Sequence, residues 1–252
     1  VHFAGQSCDM AVIGALAERY GFRVIEDASH AIGGRYQDYP IGGCRHADIT
    51  VFSFHPVKIV TTGEGGMALT NSPELAEHLE RLRSHGITRE PSRMVGEADG
   101  PWYYQQIELG YNYRLTDIQA ALGRTQLSRL DAYVAARQGL AARYDELLSG
   151  LPLTLPWCHP DAHSAFHLYV VLLTDATIRR AVFERMRTAG IGVNVHYIPV
   201  HLQPDYRRLG FGPGDCPAAE DYYAHAITLP LYPTLGEGEQ DAVVAALKAA
   251  LA

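Results

Sequence analysis

Short apolar segments alternate with amphipathic ones through the first part of the chain, and this constrains the fold more than any other feature. Asp9 to Tyr20 carries Ile13, Leu16 and Ala17 at a helical period, and Gly21 follows as a stop. Phe22 to Ile25 is a short apolar run ending in Glu26-Asp27, which reads as a buried strand. Ile49 to Phe54 and Gly66 to Thr70 read as two more. Ser72-Pro73 supplies a cap and a first-turn proline, Leu75, Leu79 and Leu82 line one helix face, and Gly86 ends it. Strands alternating with helices pack as layers, so the expected class is α/β.

Arg89 to Gly110 is polar and aromatic with no period and reads as a long functional loop. From Leu115 to Leu148 the apolar positions keep a helical spacing, and Gly150 and Pro152 close the run. A helix of this length bridges two domains. After it come an expected strand (Phe166 to Leu173), helix (Thr177 to Ala189), strand (Gly192 to His196), Pro-rich connector and final helix (Glu237 to Leu251). The expected organisation is a first, larger α/β domain over 1–125, a bridging helix over 126–150 and a small α/β domain over 151–252. Val1 to Gly5 reads as a strand already ending in a loop.

Charge and composition remove several classes of function. The 252 residues hold 21 basic and 28 acidic side chains, a net charge of −7, which argues against binding a nucleic-acid backbone. No apolar run approaches the roughly 20 residues of a membrane helix, and nothing near Val1 reads as a signal peptide. Cys8, Cys44, Cys158 and Cys216 form no C-x-x-C pair, so a cytoplasmic location with reduced thiols is expected. His159, His163 and His167 recur every four residues, but Pro160 and the β-rich run after Ala165 spoil a helix there. No metal signature is present, and no metal is expected.

Three segments carry chemistry. Ser53-Phe54-His55-Pro56-Val57-Lys58 runs off the end of a buried strand, where α/β sheets bind ligands, into Gly63-Glu64-Gly65-Gly66. A partly desolvated lysine there becomes a nucleophilic amine; the alternative is a solvated surface lysine. Ser53, Thr61 and Thr62 offer hydroxyls to a phosphate, and Gly63 an open amide. Asp27 also stands at a strand end, and His30 follows three residues on. A buried carboxylate needs a cationic partner, although Asp27 could equally cap a turn and His30 be a satisfied core histidine. Taken together, Lys58 and Asp27 fit the pyridoxal phosphate pattern, a Schiff-base lysine with an aspartate on the pyridinium nitrogen. In Gly110-Tyr111-Asn112-Tyr113-Arg114, Asn112 and Arg114 precede a helix start and can reach an anion, or simply form a loop before a cap.

EDASHAIGG, SFHPVKIVTTGEGG and LGYNYRLTDIQAALG, in that order, resemble the DegT/DnrJ/EryC1/StrS family of PLP-dependent sugar-nucleotide aminotransferases. AGQSCDM, PWYYQQIELGYNYR and GVNVHYIPVHLQPDYRRLG most resemble its pseudaminic acid branch. The resemblance implies the type I, aspartate aminotransferase-like fold and pyridoxal 5′-phosphate as cofactor. Lys58 would bond to the cofactor and then move the proton, while Asp27 keeps the pyridine nitrogen protonated. His30 would lie beside the ring, Ser53 would hold the phosphate, and Asn112 would reach the phosphate of a neighbouring subunit, which implies a homodimer with shared sites. Arg114, His196 and Tyr197 would face the substrate. The implied reaction moves an amino group from L-glutamate to C4 of a UDP-linked 4-keto-6-deoxy sugar. Other readings are transfer to another nucleotide 4-keto sugar, or a non-catalytic sugar-nucleotide binder. The family pattern also implies that about a third of the whole lies before the position of Val1. The expectation is therefore a truncated large domain with an unpaired sheet edge, which binds the cofactor poorly or aggregates.

Overall fold

The computed structural model describes all 252 residues, Val1–Ala252. Its first sheet has three strands, with Ile49–Ser53 central between Ile25–Asp27 and Gly66–Leu69. The first pair is parallel, Asp27 opposite Val51; the second is antiparallel, Ser53 opposite Gly66. Thr50, Phe52 and Phe54 point inward, and Phe52 and Phe54 join Ala28, Ala31, Ile32, Ile59 and Val60 in a small apolar core. The strand before it starts later than the apolar run suggests. Phe22 and Ile25 are exposed, and the inward residue is Glu26, buried against the Thr50 hydroxyl and His2. Period-two alternation placed Val24 and Glu26 on the same side, and a paired carboxylate took the position expected of an aliphatic.

A second three-stranded antiparallel sheet, ordered Ala226–Leu229, Tyr169–Leu173, Leu153–Thr154, carries the larger core. Tyr169, Val171 and Leu173 pack with Val182 and Met186 of the helix Arg179–Thr188 and with Val243, Val244 and Leu247 of the helix Glu237–Leu251. Burying side chains of this size is worth about 1.5–3 kcal/mol each.

The long helix is two helices. Asp117–Leu127 opens on a capping box, in which Thr116 Oγ1 accepts from the Gln119 amide and Gln119 accepts from the Thr116 amide. It ends at Ser128–Arg129, and Leu130–Leu147 begins anew. Val134 of the second helix enters the smaller core, while Ala141, Tyr144 and Leu148 enter the larger one. The intervals of three to seven residues keep one stripe inward, so this helix ties both cores together. Between them, the buried Arg137 guanidinium donates to the carbonyls of Phe166, His167 and Leu231 at 2.9–3.3 Å.

Two expected strands are absent. Gly192 to His196 makes only one bridge, Asn194 to Thr228, because Asn194 Oδ1 takes the Val195 amide at 2.8 Å and competes with the ladder. Phe3–Gly5 is a single tight turn, and the His2 amide donates to the Asp27 carbonyl at 2.9 Å. Elsewhere the elements shorten at their ends. The strand expected from Phe166 begins at Tyr169, and the helix expected from Thr177 runs as a tight turn into Arg179–Thr188.

Candidate active site

The carboxyl ends of Ile25–Asp27 and Ile49–Ser53 lie side by side, because the strands are parallel and in register. Asp27 emerges from one and Ser53 from the other. The Ser29 amide donates to Asp27 Oδ1 at 3.0 Å. Partial burial pushes the Asp27 carboxyl up, but the hydrogen bonds from Ser29 outweigh it and hold the group below the usual carboxylate range. Asp27 is therefore an anion at neutral pH.

Lys58 follows a tight turn, its amide donating to the His55 carbonyl at 2.9 Å. Its side chain is half-buried and makes no hydrogen bond. Burial lowers the ammonium below its ordinary value, and the Asp27 carboxylate opposes that shift. Just beyond, Thr61 Oγ1 donates to the Phe54 carbonyl and accepts from the Gly63 amide, which shapes the glycine-rich turn. Ser53 Oγ lies half-buried beneath it, 3.4 Å from the His55 amide.

His30 is buried, and its ring packs 4.5 Å from His167 and 6.0 Å from Phe3. Burial first, then the Lys58 charge, pushes its pKa down to about 4. His167 falls further, to about 2, by burial and by the charges of His30 and Lys58. His196 is lowered by burial and by Lys58. Its Nδ1 lies 2.8 Å from Thr228 Oγ1. Tyr197 Oη lies 3.3 Å from His30 Nε2, and Phe3 packs edge-on against both Tyr197 and Tyr222.

Lys58, Asp27, His30, His196 and Tyr197 thus form one cluster, while Ser53 ends the strand next to Asp27's and its hydroxyl contacts only the His55 amide. Asn112 and Arg114 stand apart from the cluster. Asn112 is exposed and bridges Ser84, while Arg114 lines a separate cleft of about 1000 Å³ between the helix Pro73–Arg83 and the strand Gly66–Leu69. His167, Phe3, Tyr222 and Thr228 belong to the cluster although no local pattern marks them. His167 entered the sequence reading only as a metal candidate. His159 instead packs on Tyr36 and Trp157, and His163 faces Asp38, so the three histidines do not converge.

The α/β layers, with a half-buried, unpaired amine and a carboxylate beyond the ends of two parallel strands, are those of the aminotransferase fold. The chain belongs to the DegT/DnrJ/EryC1/StrS aminotransferase family, whose model matches residues 1–248. Among curated proteins it is 40% identical over 255 residues to the spore coat polysaccharide biosynthesis protein SpsC of Bacillus subtilis, covering 98% of this chain and 64% of that protein. Among solved structures it resembles Helicobacter pylori PseC, an aminotransferase involved in the biosynthesis of pseudaminic acid, with TM-score 0.90 and 30% identity over 99% of this chain and 65% of that one. It also resembles the PMP form of Spr1654 from Streptococcus pneumoniae, with TM-score 0.91 and 29% identity over 99% of this chain and 68% of that one. The chain therefore spans about two-thirds of the length of these relatives. Spr1654 has been solved in both PLP and PMP forms, and pyridoxal 5′-phosphate is the cofactor of the family.

Proposed function

We propose that the protein transfers an amino group from L-glutamate to C4 of a UDP-linked 4-keto-6-deoxy sugar, in a route to pseudaminic acid or a related surface glycan. The observation that carries this reading is the Lys58 amine, half-buried, without a hydrogen-bond partner and facing Asp27. The residues present fit the cofactor: Lys58 would bond to it, the Asp27 carboxylate would pair with a protonated ring nitrogen, His30 would lie beside the ring, and Ser53 would hold the phosphate. The bound cofactor supplies the electron sink that makes a proton on the amine-bearing carbon removable. A Lys58 amine below its ordinary pKa can take that proton and return it on the neighbouring atom. Asp27, held ionised by Ser29, keeps its pairing charge throughout. The neutral His30 and His167 rings exclude water from this side without adding positive charge against Lys58.

The pseudaminic acid branch is favoured by the likeness to PseC, and a surface polysaccharide by the name of SpsC. Within this reading the working unit is a homodimer in which Asn112 reaches the partner's phosphate site. Supporting it, Leu109, Tyr113 and Ile118 flank Asn112 and Arg114 at 89%, 73% and 85% exposure, an apolar surface suited to a second copy. Arg114, His196 and Tyr197 would meet the substrate. We divide the chain into 1–125, 126–150 and 151–252 because the helix Leu130–Leu147 reaches from the core of the first sheet to that of the second, although Ala165 packs in the first core.

The direct test is to incubate the protein with pyridoxal phosphate and record the visible absorbance of the bound cofactor. Any band that forms should be absent in Lys58→Ala, and a strong one would overturn the expectation of poor cofactor binding. Supplied with L-glutamate and the UDP-linked keto sugar, the protein should yield the amino sugar by mass spectrometry. A band that survives in Lys58→Ala, or no amine product from the wild type, defeats the reading.

A further inference from the structure

His30 is hydrogen-bonded at both ring nitrogens, and one partner fixes the direction of the other bond. The Ala4 amide lies 3.3 Å from His30 Nδ1, and a backbone N–H can only donate. Nδ1 must therefore carry the lone pair. The ring is neutral, because burial and the Lys58 charge push its pKa to about 4. A neutral imidazole has a single N–H, so here it sits on Nε2. That nitrogen faces Tyr197 Oη at 3.3 Å, so the imidazole donates and the phenol accepts. His167 at 4.5 Å and Phe3 at 6.0 Å hold the ring plane.

Burial keeps the Tyr197 phenol protonated. With one lone pair taken by His30, its O–H points elsewhere, and it makes no other hydrogen bond in the chain. The residue is 49% exposed and rises from the segment that also brings His196 towards Lys58. We propose that Tyr197, oriented by the chain of bonds from the Ala4 amide through His30, donates a hydrogen bond to the carbonyl oxygen of the amino-acceptor sugar. His30 is then a positioning residue, and Tyr197 the group that touches substrate. This rests on the aminotransferase reading above. A phenol whose oxygen already accepts from His30 is a better donor, because each bond in such a chain polarises the next. The donor half ends in a ketone, the released 2-oxo acid, whereas the acceptor half begins with one, so the acceptor half is where the bond is read.

Two measurements test this. In long-range proton–nitrogen spectra of ¹⁵N-labelled protein at neutral pH, His30 should show a protonated Nε2 and a bare Nδ1, in the wild type and in Tyr197→Phe alike. A proton on Nδ1 reverses the bond to Tyr197 and overturns the proposal. In single-turnover kinetics, Tyr197→Phe should slow the acceptor half about 10- to 100-fold, the loss of one hydrogen bond of about 1.4–2.8 kcal/mol. His30→Leu should slow it similarly, and His30→Gln, which keeps an acceptor for Ala4 and a donor for Tyr197, should restore most of the rate. An unchanged acceptor half in Tyr197→Phe overturns the substrate role even if the tautomer is as expected. A wild type that makes no amino sugar defeats the aminotransferase reading, and the proposal falls with it.

Discussion

Gly33 sets the packing between the His30 loop and the helix Leu130–Leu147, and its replacement can be worked through. The residue sits at φ +83°, and a Cβ built on it would lie 2.7 Å from Val134 Cγ2 and 3.0 Å from Leu130 Cδ1. Val134 is buried and β-branched, so its methyl has no free rotamer to move into. Gly33→Ala therefore carries two penalties. Left-handed backbone costs a non-glycine residue about 1–2 kcal/mol, and overpacking a filled core costs about 1–3 kcal/mol, for a sum of about 2–5 kcal/mol. Gly63 provides the control, since its φ is +82° but no atom lies within 4 Å of its Cβ position. Gly63→Ala should show the backbone penalty alone, about 1–2 kcal/mol. Urea denaturation of the cofactor-free protein, followed by circular dichroism, gives both values from the shift in midpoint at constant slope. Equal losses for the two variants would refute the packing argument, and a larger loss for Gly63→Ala would reverse it.

Removing the Asp27 charge should lower the Lys58 pKa further, because burial already depresses it and only the carboxylate opposes that. In cofactor-free Asp27→Asn the acylation of Lys58 by an amine reagent should reach half-maximal rate at lower pH than in wild type; an upward shift would contradict the assigned pair. His30 titrates at 6.5 when unfolded and about 4 when folded, so its contribution is complete above pH 6.5 and is lost as pH falls towards 4. At about 1.4 kcal/mol per pH unit that is roughly 3 kcal/mol, read as the difference in pH-dependent stability between wild type and His30→Gln. His167, pushed still lower by burial, adds loss in the same direction. If Asn112 serves the partner's site, mixing Lys58→Ala with Asn112→Ala subunits restores one intact site per mixed dimer, about a quarter of wild-type activity for random pairing. No recovery would place Asn112 within its own subunit's site or outside any.

The sequence by itself determined what is local. The cap at Ser72, the capping box at Thr116 and Gln119, and the helix Glu237–Leu251 follow from side chains that meet neighbouring backbone a few residues away. That Asp27 and Ser53 end their strands on the same edge was also legible, because two parallel neighbouring strands must open on the same side. The break at Ser128–Arg129 was not, since the apolar period runs through it, yet the first helix buries no side chain and the second enters both cores. Nor did any pattern reveal Glu26 as the inward residue of its strand. Its burial depends on Thr50 and His2, which lie 24 residues away on either side. The tautomer of His30 was still less accessible. It is set by the Ala4 amide, brought there by the tight turn Phe3–Gly5, and by Tyr197, 167 residues further along the chain. Directed hydrogen bonds between distant segments exist only once both apolar cores have closed, and so the chemistry of this cluster belongs to the tertiary structure.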